Sequence, residues 1–400
     1  MDTAKVKNLC LAYKESIEKE WDNIQTDNLA LCVGAGVTRG FIGNWSELLN
    51  ELAVLRVCDT LAKQWGSSDS TVDMNELRDY IQSSNGFFPV GMSVLEQGEY
   101  LKDDIGDESY PIHDEGDESK WREIFFAEQV RQTIEKLKIQ KTKDKSICEY
   151  FMENIDNADM ATLYAVLRLC LKCDIEQIIN YNFDTVLEEL LRDDKVCEAI
   201  LPSQIDIYPN IEVYSYSDKK ITGLSNTRRK SKRTIKIYHV HGVAYSDVTH
   251  PIQQLVFSEH SYMEYQRVLL NWSHLRIADV LSHKNLICVG FSGTDPNFRF
   301  LSRTIITVRR SPFDRNTSPV NLVDIKKIWL TNTYIKSIIL DSENGDFKAF
   351  ACFQTFTESM NRYFLKEFGI SILWAKSHIE MADKINCINC KYMSCLNMYR

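Results

Sequence analysis

The chain reads as an α/β protein: a Rossmann-like, mostly parallel sheet flanked by helices, with a helical insertion. Three observations point there. Short apolar runs such as Leu29-Ala30-Leu31-Cys32-Val33 and Asn285-Leu286-Ile287-Cys288-Val289 alternate with longer stretches of helical periodicity. Such runs suit strands buried on both faces. Each run ends in a polar or glycine-rich cluster, and sheets of this kind bind ligands beyond the carboxyl ends of their strands.

The elements follow in order. Residues 5–24 are predicted as an amphipathic helix, with Leu9, Tyr13, Ile17 and Trp21 on one face. The strand 29–33 breaks into Gly34-Ala35-Gly36-Val37-Thr38. Glycines there let backbone approach a phosphate, and the helix that follows aims N–H groups at the anion, although a plain tight turn has the same signature. Trp45 to Val57 is the next predicted helix, with Ser46 as its N-cap and Leu48, Leu49, Leu52 and Leu55 apolar. From Cys58 to Leu171 the pattern turns helical, as in Trp121 to Lys138, around an acidic loop from Asp103 to Glu118 with eight carboxylates. That charge density reads as a solvated loop or a partner-docking element.

Strand patterns resume at Ile175 to Ile179, which ends in Asn180-Tyr181-Asn182-Phe183-Asp184 before a helix from Thr185 to Leu191. Lys236 to Val240 ends in His241-Gly242. Asn285 to Val289 ends in Gly290-Phe291-Ser292-Gly293-Thr294-Asp295-Pro296-Asn297, where Pro296 suits a first helical turn. Ile328 to Leu330, Ile335 to Leu340 and Ile370 to Trp374 read as further strands, with a helix from Phe347 to Glu367 before the last. The organisation is an N-terminal helix over 1–27, an α/β domain over 28–57 and 172–385, a helical insertion over 58–171, and a cysteine-containing tail over 386–400.

Composition bounds the function. A net charge of -9 argues against a general nucleic-acid binder, because phosphate neutralisation needs surplus Lys and Arg. The five positive charges of residues 228–233 read as a solvated loop or a local docking patch. No run reaches the roughly 18 apolar residues of a membrane span, and the first twenty residues lack a signal-peptide core. The twelve cysteines read as reduced thiols of a cytoplasmic protein. Cys387-x-x-Cys390 and Cys395 lack an evident fourth metal ligand, so no metal is expected.

Four strand-end clusters thus stand in order: Gly34-Ala35-Gly36-Val37-Thr38, Asn182 with Asp184, His241-Gly242, and Gly290 with Ser292, Asp295 and Asn297. Their order and type resemble the sirtuin superfamily, and more closely the sirtuin-like NAD-hydrolase branch of bacterial antiphage defence, over roughly residues 25–385. Two departures separate the chain from the protein-deacylating branch. Residues 243–287 contain no cysteine where those enzymes carry a zinc ribbon, and Arg39-Gly40-Phe41-Ile42-Gly43-Asn44-Trp45 replaces their Pro-Asp-Phe-Arg segment.

The resemblance implies cleavage of the nicotinamide–ribose bond of NAD. Asn182 and His241 would be catalytic: the amide holds water or a ribose hydroxyl, and the imidazole accepts a proton. Gly34, Ala35, Gly36, Thr38, Asp184, Gly290, Ser292 and Asp295 would bind NAD. Asp184 is alternatively a helix cap, Ser292 and Asp295 are alternatively turn and N-cap residues, and His239, on the same sheet face as His241, either packs or supports the site residues from behind. The resemblance further implies NAD depletion on a trigger, self-assembly, and a separately encoded partner such as a HerA-type ATPase. The rival readings are a nucleotide-binding sensor without turnover and, more remotely, a deacylase.

Overall fold

The computed structural model describes residues 2–18, 28–65, 76, 79–80, 88, 92–103, 118–202, 208–228, 231, 233–247, 250–268, 271–291, 293, 295–309, 327–331, 336–375 and 377–388. In chain order, α1 (Thr3–Glu18) precedes β1 (Leu29–Val33), then α2 (Arg39–Ile42) and α3 (Trp45–Trp65). Next come α4 (Val94–Asp103), α5 (Glu118–Thr142), α6 (Ile147–Glu153) and α7 (Ala161–Lys172). The sheet continues with β2 (Ile175–Asn180), α8 (Val186–Arg192), α9 (Asp194–Ile200), β3 (Asn210–Ser215) and β4 (Thr234–His239). It finishes through α10 (Glu259–Arg267), α11 (Trp272–His283), β5 (Asn285–Val289), α12 (Pro296–Arg309), β6 (Lys327–Thr331), α13 (Lys336–Glu343), α14 (Phe347–Phe368), β7 (Ser371–Trp374) and α15 (His378–Asn386).

The seven strands form one sheet in the order β3-β4-β2-β1-β5-β6-β7, and every pairing is parallel. Apart from the outer β3, this is the Rossmann order, in which the chain leaves β1 to one side and returns to build the other. The direction reverses between β1 and β5, where such sheets open a crevice for ligands. Both central strands are buried along their whole length, as the unbroken apolar runs require. Leu29, Leu31, Val33, Ile287 and Val289 face one helical layer, while Ala30, Cys32, Leu286 and Cys288 face the other. The edge strand β3 does not stand open: Ile211 and Tyr214 form bridges to Asn226 and Lys220.

Several expectations need correction. Of the predicted stripe, Tyr13 packs inward beside Val6 and Cys10, Leu9 is 38 % exposed, and Trp21 lies outside the described residues. Asn44 caps α3 in place of Ser46: its Oδ1 accepts from Glu47 N at 3.0 Å while Glu47 Oε2 accepts from Asn44 N at 2.9 Å. The run expected as a strand at 335–340 is helical from Lys336, with Ile339 buried and Leu340 exposed, because a short apolar run suits either period. β3 had no counterpart among the expected strands. Cys173 is disulfide-bonded and so departs from the all-thiol expectation, whereas eight other described cysteines form no disulfide.

The described residues between 58 and 171 hold helices and no strand. Of these, α7 packs against α15 beside the sheet and leads directly into β2. Most of the acidic loop, residues 104–117, and the tail from 389 lie outside the described residues. The two ends of the basic run are spent internally. Arg228 donates to Leu191 O and Arg192 O at the end of α8, and Arg233 to Cys170 O and Leu171 O at the end of α7. Cations there oppose the negative ends of the helix dipoles.

Candidate functional site at the strand ends

The glycine loop leaves β1 at the crevice and packs against the turn after β5. Gly34 N donates to Val289 O at 3.1 Å and Gly36 N to Gly290 O at 3.0 Å. A Cβ on Gly34 would stand 2.6 Å from Gly290 O, and one on Gly36 2.8 Å from Gly290 Cα. Gly290 itself has φ +62, in the left-handed region. Loop-on-loop packing therefore demands these three glycines. The amides of Gly34, Gly36 and Val37 all donate within the fold.

On the β2 side the loop meets Asn182 and Asp184, both buried. Thr38 Oγ1 donates to Asp184 Oδ2 at 2.9 Å and accepts from Asn182 Nδ2 at 3.3 Å. Asp184 Oδ1 accepts from Val186 N at 3.1 Å, so the residue both caps α8 and holds Thr38. Burial raises the Asp184 carboxyl above its ordinary pKa, against the opposing pull of Lys138 on α5. Asn182 Oδ1 is buried and has no hydrogen-bond partner. Ala35, Thr38, Asn44, Trp45, Asn182 and Asp184 line one small cleft.

Behind Asn182, a network absent from the sequence-based expectations fixes its backbone. His239 Nδ1 donates to Asn182 O at 2.8 Å, and its Nε2 lies 2.7 Å from Glu188 Oε1. Asn180 Nδ2 donates to the same Glu188 oxygen at 3.1 Å, and Asn182 N donates to Asn180 Oδ1 at 3.0 Å. Burial opposes charge on His239, but Glu188 and the Asn182 carbonyl outweigh it and raise the imidazole pKa. Sequence marks Glu188 only weakly: it stands among Val186, Leu187, Leu190 and Leu191, but on a short helix that also carries Glu189 and Arg192.

His241 belongs to a second cluster. It is 1 % exposed, with Nε2 at 3.2 Å from Asp295 Oδ2. Tyr262, on α10, donates its hydroxyl to that same oxygen at 2.6 Å and lies 3.2 Å from both ring nitrogens. Asp295 Oδ1 accepts from Phe298 N at 2.7 Å, so Asp295 is the N-cap of α12 as well as the partner of His241. Burial works against the Asp295 carboxylate, yet His241, Tyr262 and the Phe298 amide hold its pKa below the ordinary value. Burial, reinforced by Asp295, pushes the Tyr262 phenol well up. Nothing in the sequence singles out Tyr262; the Ser258 and Ser261 cap marks the helix start without saying which residue faces inward.

The structure thus gathers Ala35, Thr38, Asn182 and Asp184 around one cleft, joins Gly34 and Gly36 to Gly290, and sets His241 with Asp295 beside them. The link between the clusters is Tyr181, which precedes Asn182 and packs edge-on against His241 at 4.8 Å. Ser292 lies outside the described residues. Among the described residues, no group of three or more His, Cys, Asp or Glu is placed to hold a metal, and no helix is long and apolar enough to cross a membrane.

Residues 176–320 match the SIR2-like domain family. The matched SIR2-like region runs from β2 past α12 and contains Asn182, Asp184, His241, Gly290 and Asp295, while the glycine loop precedes it. A SIR2-like domain implies NAD binding or use. No curated protein matches the chain.

Proposed function

We propose that the chain is a sirtuin-like NAD glycohydrolase that breaks the bond between nicotinamide and ribose. The observation that carries this reading is Asn182: a buried carboxamide in the cleft beside the glycine loop, with Oδ1 left to accept a hydrogen bond from water or a ribose hydroxyl. In the reaction the electron pair of the glycosidic bond leaves with the pyridine nitrogen, giving neutral nicotinamide and an oxocarbenium-like ribose. Asn182 holds a ribose hydroxyl while water adds to the anomeric carbon, and His241 takes the proton of that water, with Asp295 balancing the imidazolium charge. The products are nicotinamide and ADP-ribose.

We further propose that this turnover depletes NAD in antiphage defence and is silent until a trigger arrives, through self-assembly or a partner such as a HerA-type ATPase. The enclosure of His241 by Tyr181, Tyr262 and Asp295 supports a resting state of that kind. The same enclosure favours a second reading, an NAD sensor that binds without turnover. Incubating the protein with NAD, alone and with its genomic neighbours, and following nicotinamide by chromatography separates the two. Release that disappears in Asn182→Ala supports hydrolysis; saturable NAD binding with no release under any combination supports the sensor.

A further inference from the structure

The helical insertion reaches the His241 cluster through α10. That helix carries Tyr262, which donates to Asp295 at 2.6 Å and meets the His241 ring edge-on, with centroids 5.1 Å apart. The start of α10 is held by α4. A Cβ on Gly98 of α4 would stand 2.6 Å from Phe257 O, so the two backbones touch just before α10 begins. Glu99 Oε2 accepts from His260 N at 2.8 Å. Lys102 Nζ donates at 3.2 Å to Ser258 Oγ, the N-cap of α10.

Lys102 is 5 % exposed, and its ammonium has an acceptor for each of three protons: Glu123 Oε1 on α5 at 2.9 Å, Glu99 Oε1 at 2.9 Å, and Ser258. Burial opposes the charge, but the two carboxylates outweigh it and raise the Lys102 pKa. Cohesion alone does not call for such a group. Leu101 and Phe126 already join α4 and α5 to the core, and an apolar set of similar volume is often no less stable than a buried ion pair. What the ammonium adds is direction. Apolar surfaces slide over one another, whereas bonds to Glu123 and Ser258 tie α4, α5 and α10 into one arrangement.

We infer that Lys102 is a positioning residue for His241: it fixes the start of α10, and α10 delivers Tyr262 to His241 and Asp295. Tyr262 N donates to Ser258 O at 3.0 Å, so the tyrosine stands one helical turn from the residue that Lys102 holds. A displacement of α10 at Ser258 therefore moves the Tyr262 hydroxyl relative to Asp295. The insertion is on this account part of how the site is built. The consequence for turnover rests on the NAD-hydrolysis reading; the placement of Tyr262 beside His241 does not.

The test compares the full chain with Lys102→Met/Glu123→Leu, which removes ammonium and carboxylate together so that neither stays buried alone. Two quantities are read: kcat and KM for nicotinamide release, and the His241 ring resonance in protein carrying isotope-labelled histidine, assigned by its disappearance in His241→Ala. The ring current of Tyr262 acts on that resonance directly. In the double variant kcat should fall about 3–30-fold with KM near the wild-type value. Adding Tyr262→Phe should cause little further loss, and the His241 resonance should move while that of His239 stays. An unmoved His241 resonance, a kcat within about twofold of the wild type, or a loss that multiplies with that of Tyr262→Phe overturns the inference. If the double variant does not fold, Glu99→Ala removes the acceptor of His260 N and one partner of Lys102 at a partly exposed side chain. An unmoved His241 resonance there overturns the inference equally. Should the wild type release no nicotinamide in any combination with its genomic neighbours, the hydrolysis reading fails on its own, and the resonance still judges Lys102.

Discussion

His239 and His241 stand two residues apart at the end of one strand, both buried, and they illustrate opposite uses of an imidazole. His239 has each ring nitrogen committed to an acceptor, Asn182 O and Glu188, within the layer that carries α8. It works as a rivet that fixes the Asn182 backbone. His241 follows the turn and meets Asp295 on α12, with the Tyr262 hydroxyl equidistant from its two nitrogens. That arrangement holds the ring without committing each nitrogen to its own acceptor, which suits a group that takes up and releases a proton.

The largest effect separating the two histidines is on turnover. His241→Ala should lower nicotinamide release by about 10²–10⁴-fold, the usual contribution of a general base, with a smaller loss of stability than Glu188→Ala, because Tyr262 and the Phe298 amide still hold Asp295. An equal loss of stability in this variant would make His241 a second rivet and end the distinction. Glu188→Ala should show the reverse pattern. Removing one partner of a fully buried ion pair costs about 3–5 kcal/mol, because His239 must then shed its proton or stay buried without its partner. Urea unfolding measures it, and a cost below 1 kcal/mol would mean that His239 is not the structural member of the pair.

A smaller effect sharpens the His241 side. Tyr262→Phe keeps the ring against His241 and removes the 2.6 Å hydrogen bond to Asp295. A hydrogen bond to a charged group contributes about 1.5–3 kcal/mol, so unfolding should register a loss of that order. If Tyr262 also positions His241 through Asp295, kcat falls while KM stays near the wild-type value. A change confined to KM would place Tyr262 in substrate binding instead.

The strands that build the crevice were plain in the sequence. β5 spans the expected run residue for residue, and β1 matches as well, because burial on both faces leaves an unbroken apolar signal. Asn182, Asp184 and His241 are legible as candidates for a related reason: polar residues directly after such strands stand out. What could not be read is whatever depends on the approach of distant segments. Tyr262 reaches Asp295 across 33 residues, and no periodicity encodes that meeting. The glycines were noticed for the phosphate they could admit, whereas the structure shows them admitting Gly290. The helix Lys336–Glu343 was misread because four clustered apolar residues fit a strand equally well until burial shows Ile339 inward and Leu340 outward.

The finest discriminator is pH, since the two clusters should fail at opposite ends of the scale. His239 has a folded pKa raised above the ordinary 6.5. Its contribution to stability is therefore complete below about pH 6.5 and is lost as pH rises through the folded value. Asp295 has a folded pKa below the ordinary 3.8. Its contribution is present above that value and is lost as pH falls through the depressed one. Urea midpoints measured across pH should accordingly lose their alkaline decline in His239→Gln and part of their acid decline in Asp295→Asn, which keeps the cap of α12. If both variants flatten the same limb, the two clusters titrate as one unit and the division between rivet and proton carrier falls.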